Sequence, residues 1–140
     1  MAATATEAPS GYHAVTPYLT IKGGRAGEAI DWYVSVLGAE EVIRSPSQDG
    51  KRLMHAYIRL NGGAVMLSDD FPDWNGGRES PDPAGFTLHL QVRDAKALFA
   101  RALAAGAVET MPLAEQFWGD FYGKLRDPFG VNWSIATTPA

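Results

Sequence analysis

The chain repeats one pattern of hydrophobicity twice, and this internal duplication constrains the fold more than any single motif does. Each half reads as a strand, a helix and then three further strands. The first half spans residues 11–69 and the second spans 85–138, with a loop over 70–84 between them. We therefore predict an α+β fold of two tandem βαβββ modules, in which a curved mixed sheet lies around a cavity.

The helices give the clearest periodicity. Ala29, Ile30, Tyr33, Val34 and Leu37 share one face of a predicted helix over 25–37, which Gly38 ends. The second helix begins after Asp94, a favourable N-cap residue, and is predicted to end at Gly106. The strands are predicted over 13–21, 41–44, 53–60, 64–68, 86–92, 108–111, 120–126 and 131–137.

Two short signals qualify the predicted strands. Pro17 interrupts the first one, so we expect a sheet edge or a short bulge there. Asn61-Gly62-Gly63 is typical of a tight hairpin turn between the third and fourth strands.

Alternation divides the strand residues into an apolar set and a mixed set. The apolar set must pack on the helices, which leaves the mixed set for another surface. That set is too polar for a dry core and too aromatic for an ordinary wet surface, so we predict that it lines a ligand-binding cavity. The predicted ligand-binding residues are Thr16, Tyr18, His55, Tyr57, Met66, Thr87, His89, Trp118, Asp120, Tyr122 and Ser134.

Three of these residues are also candidate catalytic groups. His89 and His55 could transfer protons near neutral pH, or they could simply be histidines bonded to neighbouring polar side chains. Asp120 could accept a proton from a ligand or cap the turn at Gly119. Trp118 suits stacking on a flat ligand, but it could equally form a lid or a subunit contact.

Composition excludes several classes of protein. The 140 residues carry a net charge of −4, which argues against general nucleic-acid binding, and no apolar run is long enough to span a membrane. Residues 1–10 lack the pattern of a signal peptide and predict a disordered tail. The absence of cysteine removes thiol chemistry and fits a cytoplasmic location.

Several segments resemble one known family. They are Ala29-Ile30-Asp31-Trp32-Tyr33 on the first helix, the block over 117–123, and Asp127-Pro128-Phe129-Gly130 before the last strand. Together with the duplicated modules, they resemble the vicinal oxygen chelate superfamily of glyoxalase I, bleomycin-resistance proteins and extradiol dioxygenases, and within it the PhnB-like branch. The resemblance implies a small-molecule ligand and a homodimer.

The same resemblance implies where a metal would bind in relatives that use one. The four equivalent places here are Thr16, Met66, Thr87 and Ser134, or, with a slip of two residues, Tyr18, Ser68 and His89 in place of some of them. Neither set offers good ligands for a divalent cation. We therefore expect a protein that binds a small organic ligand with no metal and no cofactor. The alternatives are a metal-dependent lyase, isomerase or dioxygenase-like enzyme, a metal-free acid/base enzyme, and a regulatory partner protein.

Overall fold

The computed structural model describes residues 15–139, so the predicted tail over 1–10 and His13 lie outside the described residues. The first module contains β1 (Tyr18–Ile21), α1 (Ala26–Leu37), β2 (Glu40–Pro46), β3 (Leu53–Leu60) and β4 (Gly63–Asp69). A short 3₁₀ turn (Pro72–Trp74) follows in the connecting loop. The second module contains β5 (Leu88–Gln91), α2 (Ala95–Ala104), β6 (Val108–Glu115), β7 (Phe121–Arg126) and β8 (Asn132–Thr137).

The strands form one four-stranded sheet in each module. Their orders are β1-β4-β3-β2 and β5-β8-β7-β6, and only the first pair of each sheet is parallel. The α+β class and the two βαβββ modules are therefore confirmed. The modules repeat each other in register, because Tyr18 lies opposite Met66 in one sheet and His89 lies opposite Ser134 in the other.

Proline explains two differences between the predicted and observed strands. β1 begins only at Tyr18, because Pro17 has no amide hydrogen for the ladder, although its carbonyl accepts a bond of 2.9 Å from the Met66 amide. The predicted end of β6 at Met111 is wrong, since the strand continues to Glu115. Pro112 is accommodated where the pairing register shifts between Met111 and Ala114.

The helix ends combine expected and unexpected caps. Gly38 takes the left-handed conformation (φ 77°) that ends α1, and the Asp94 carboxylate accepts a 3.1 Å bond from the Ala97 amide, as predicted. The start of α1 is capped from outside the helix. The buried Asp69 carboxylate, at the end of β4, accepts bonds from the amides of Ala26 (2.8 Å) and Leu53 (2.7 Å).

The two modules meet through their helices. The Trp32 indole of α1 donates a 2.9 Å hydrogen bond to the Ala105 carbonyl just after α2. In the other direction, the Arg101 guanidinium of α2 donates a 2.8 Å hydrogen bond to the Val36 carbonyl of α1. Neither helix in the described part of the chain has the length and apolarity needed to cross a membrane.

Asp127 links the modules more firmly than these contacts do. Its buried carboxylate accepts bonds from the Tyr33 hydroxyl of α1 (2.6 Å) and from the Trp133 indole of β8 (2.8 Å). The backbone amides of Phe129 (2.9 Å) and Val131 (3.0 Å) complete the set. The turn of the second module is therefore bonded directly to the helix of the first.

Replacing Asp127 with alanine should lower the free energy of unfolding by about 3 kcal/mol or more, because each buried donor left without an acceptor costs roughly 1–3 kcal/mol. Chemical denaturation followed by circular dichroism measures this change. Asp31→Ala is the matched control, since this α1 carboxylate is largely exposed and should contribute little. If both variants lost the same free energy of unfolding, the bonds to Asp127 would not be what stabilises the contact between the modules.

Stability should also depend on pH through Tyr33. Burial, followed by the nearby Asp127 carboxylate, raises the pKa of the Tyr33 phenol well above its usual value of 10.0. In the unfolded chain this phenol ionises first as pH rises, so the free energy of unfolding should fall above about pH 10. Tyr33→Phe should flatten this fall in denaturation experiments between about pH 9 and 11. If the free energy of unfolding fell with pH in parallel for the wild type and Tyr33→Phe, ionisation of Tyr33 would not be the cause.

Candidate ligand-binding site

The mixed set of strand residues lies on the sheet faces that point away from the helices. Leu19 and Leu67 are buried on the helix side of the first sheet, whereas their neighbours Tyr18 and Met66 alternate to the opposite side. The second sheet repeats the arrangement, with Ile135 on the helix side and Ser134 opposite. The candidate residues therefore divide into two groups, one in each module.

The first group is called here the first-module face and consists of Tyr18, His55, Tyr57 and Met66. The Tyr18 hydroxyl and His55 Nδ1 share a hydrogen bond of 2.7 Å, and their ring centroids are 5.6 Å apart. Met66 lies between Tyr18 and Tyr57 in the register of the sheet. Tyr57 is buried, while the Tyr18 side chain remains 53% exposed.

The second group is called the second-module face and consists of His89, Gln91, Trp118, Asp120, Tyr122 and Ser134. Both ring nitrogens of His89 have partners in this group. Nδ1 lies 2.7 Å from the Ser134 hydroxyl, and Nε2 lies 2.8 Å from the Gln91 side-chain oxygen. Because Ser134 is only 2% exposed, it fixes the imidazole to the body of the sheet.

Aromatic contacts continue this face towards the β6–β7 turn. The His89 ring stacks on Tyr122 with a centroid distance of 5.9 Å and an interplanar angle of 18°. Trp118 meets Tyr122 edge-on at 5.7 Å and is still 50% exposed. The result is a connected aromatic surface beside a fixed imidazole.

Gln91 connects the remaining polar groups. Its amide donates to the Thr138 hydroxyl at 2.7 Å and makes a weaker contact of 3.4 Å with the Asp120 carboxylate. The turn before β7 is closed by the backbone of Gln116, whose carbonyl accepts from the Gly119 amide at 3.0 Å. The Asp120 side chain therefore faces Gln91, and the alternative in which it caps the turn is not observed.

Four of the predicted residues lie outside the observed strands, namely Trp118 and Asp120 in the turn before β7 and two threonines. Thr16 precedes β1 and is half-buried, and Thr87 precedes β5 and is exposed. No hydrogen bond or ring contact of Tyr18 or His55 reaches the second-module face within residues 15–139. A single chain thus presents two separate groups, and a cavity shared between them stays a prediction.

The register also decides which side chains lie level with one another at the parallel strand pairs. These are Tyr18 beside Met66 and His89 beside Ser134. Tyr18 and His89 are residues of the two-residue slip, whereas Met66 and Ser134 belong to the assignment without it. A phenol, a thioether, one imidazole and a hydroxyl do not suit a divalent cation. Consistently, residues 15–139 contain no cluster of three or more His, Cys, Asp or Glu side chains with metal-binding geometry.

Lys124 lies beside the second-module face and is not among the residues predicted from the sequence. It lies opposite Ser134 in the β7–β8 register, and Ser134 lies opposite His89, so the three residues form one row across the sheet. Lys124 is half-buried, and its ammonium group forms no salt bridge with any described residue. The sequence does contain a signal for this position, because Lys124 alternates with Tyr122 and Arg126 along the predicted strand and so shares their side of the sheet.

The two histidines offer different chemistry. His89 is held at both nitrogens, which suits orientation and stacking of a ligand. His55 is held only at Nδ1 by Tyr18 among the described residues, so its Nε2 can donate to, accept from or exchange a proton with a ligand. Of the candidate proton-transfer groups, His55 therefore has the more available nitrogen.

The fold and these faces are typical of a class of proteins that contain two paired βαβββ modules. Residues 16–135 match the Glyoxalase/Bleomycin resistance protein/Dioxygenase superfamily, and the chain belongs to it. The Mycobacterium bovis protein Mb0911c is 46% identical over 126 residues, which cover 87% of this chain and 81% of that protein.

Solved structures agree with this assignment. The structure of the Arabidopsis thaliana gene product At5g48480 superposes with a TM-score of 0.69 at 30% identity, covering 87% of this chain and 96% of that one. A PhnB protein from Bacillus cereus shares the fold, with a TM-score of 0.66 at 23% identity over 88% of this chain and 98% of that one.

Proposed function

We propose that the protein binds a small polar or aromatic organic molecule on the exposed faces of its sheets, without a metal ion. The second-module face is the observation that carries this proposal. An exposed imidazole is held there by the Ser134 hydroxyl and by Gln91, beside the rings of Tyr122 and Trp118.

Such an arrangement suits binding because its polar atoms are already oriented. A ligand that stacks on Trp118 or Tyr122 does not have to order the His89 ring first, so less conformational entropy is lost on binding. Hydroxyl, amide and imidazole groups beside aromatic rings resemble the composition of small-molecule sites in general. The Lys124 ammonium, which forms no salt bridge within residues 15–139, adds a positive charge to the same row.

The metal-dependent alternatives receive less support. A lyase, isomerase or dioxygenase-like enzyme of this superfamily would need ligands for a cation at the strand positions that lie level with one another. Tyr18, Met66 and Ser134 are poor ligands there, and His89 already uses both nitrogens within its own face. The donor chemistry of these positions supports the proposal of metal-free binding.

We infer that two chains complete the site as a homodimer. Each chain has one copy of each face, and both faces carry exposed aromatic side chains, Tyr18 on one and Trp118 on the other. A twofold axis can place the first-module face of one chain against the second-module face of the other, and the same contact then forms twice. This pairing would enclose a ligand between the two faces.

Ligand binding should be detectable without added metal and should depend on His89. In a thermal-shift screen of small aromatic and polar compounds, hits should raise the melting temperature equally with EDTA and with added Zn²⁺ or Mn²⁺. His89→Ala should weaken a hit about tenfold or more in calorimetry, because it removes both stacking and hydrogen bonding. Glu79→Gln, at an exposed loop position, is the control. A screen without hits, or binding that requires the metal, would overturn the proposal.

The oligomeric state provides a separate test. Light scattering after size exclusion at micromolar concentration should give a mass twice that of the 15.1 kDa chain. Trp118→Glu should shift the protein towards monomer, because it places a charge in the inferred interface. The same change at Trp74, an exposed tryptophan of the connecting loop, should leave the dimer intact. A wild-type protein that remains monomeric would contradict the inferred pairing.

A further inference from the structure

A cavity of about 520 Å³ lies at one end of the first module, and no residue of either face lines it. This volume falls within the range of roughly 300–1,000 Å³ that small-molecule pockets occupy. The lining residues come from the end of β2, the β2–β3 turn, the start of β3 and the connecting loop. They are Pro46, Ser47, Gln48, Asp49, Arg52, Met54, Phe71 and Trp74.

Three flat groups form a stack along one wall of this cavity. The Phe71 and Trp74 rings lie nearly parallel, with centroids 4.4 Å apart and an interplanar angle of 11°. The Arg52 guanidinium carbon lies 4.2 Å from the Phe71 centroid. Asp73 holds that guanidinium through two bonds of 2.8 and 3.2 Å, so the stack is fixed before any ligand arrives.

The Trp74 ring ends this stack with a free surface. Phe71 is the middle member, because Arg52 and Trp74 both contact its ring. Trp74 is the outer member and is 67% exposed. Met54 is partly exposed at the same cavity because the β2–β3 register shifts there, pairing Ser45 with His55 and Pro46 with Leu53. Bulges of this kind redirect side chains beside binding sites, and methionine adapts readily to different ring shapes.

The charges at and beside the cavity sum to zero, because the cations Arg52 and Lys51 lie near the anions Asp49 and Asp73. Arg52 is paired with Asp73. The Asp49 carboxylate accepts bonds from the Ser47 hydroxyl (2.6 Å) and the Lys51 amide (2.9 Å). A charged ligand would find no opposite charge among the lining groups that is not already engaged. The Gln48 side chain also lines the cavity and has no hydrogen bond to another described residue, so its amide can serve a polar edge of a ligand.

We propose that this cavity binds a neutral planar aromatic ring, stacked on the exposed face of Trp74 with its polar edge towards Gln48. The site is separate from the two sheet faces and does not depend on the proposed function. A ring in this position extends the existing order of Arg52, Phe71 and Trp74 by one member. Offset stacking of this kind is favourable beyond the area that it buries.

The test uses indole as the probe and the full-length protein labelled with ¹⁵N. The chain has four tryptophans, so their indole N–H groups report on four places separately. Titration with indole should shift the Trp74 signal in a saturable way, while the signals of the buried Trp133 and half-buried Trp32 remain in place. Benzoate and benzylammonium should bind at least about fivefold more weakly, because the groups at and beside the cavity carry no net charge to offset the desolvation of an ion.

Matched variants separate this site from the second-module face. Trp74→Ala should abolish the saturable response reported by the backbone amides of the cavity, and Trp118→Ala should preserve it. Circular dichroism and the remaining amide signals confirm that each variant is folded. Gln48→Ala should weaken indole binding severalfold, since it removes the partner for the indole N–H.

Three outcomes would overturn the proposal. A shift of the Trp118 signal alone would support binding at the second-module face and none in the cavity. Stronger binding of either ion would refute a neutral ligand. A Trp74 signal that changes with protein concentration and not with indole would mean that a second copy of the chain fills the cavity.

Discussion

The buried carboxylate of Asp127 is the interaction on which the relation between the two modules depends. It accepts hydrogen bonds from the Tyr33 hydroxyl of the first module and from the Trp133 indole and two backbone amides of the second. Burial raises the pKa of this carboxyl group, while the bonds from Tyr33 and Trp133 act in the opposite direction. Because these donors would be unsatisfied without it, the carboxylate favours one arrangement of helix and turn.

The position of the candidate site follows from that arrangement. With the helices packed between the modules, the apolar side of each sheet is covered, and the opposite side faces outward. Exposed aromatic and polar residues then occupy both outer faces, with Tyr18 on one and His89 on the other. The first module also carries the separate aromatic cavity beside Trp74, so binding groups are not confined to the sheet faces.

Local patterns predicted much of the fold, because alternation and helical periodicity depend on neighbours in the sequence. They could not predict Asp69, whose carboxylate caps α1 from the end of β4, 43 residues away. They also missed Lys124 as a neighbour of the second-module face. The strand alternation placed Gln91 on the same side of β5 as His89, but only the pairing of β5, β8 and β7 sets Lys124 in the same row as His89.

The sequence by itself determined that the chain folds as two βαβββ modules, since the duplicated periodicity of strands and helices has few other solutions. It also determined which side chains share a face, because alternate residues of a strand point to opposite sides. Only the tertiary structure decided that Tyr18 and His89, and not Thr16 and Thr87, lie level with Met66 and Ser134. Strand register and the Asp127 contacts join residues that are distant in sequence, and no local pattern encodes such distances.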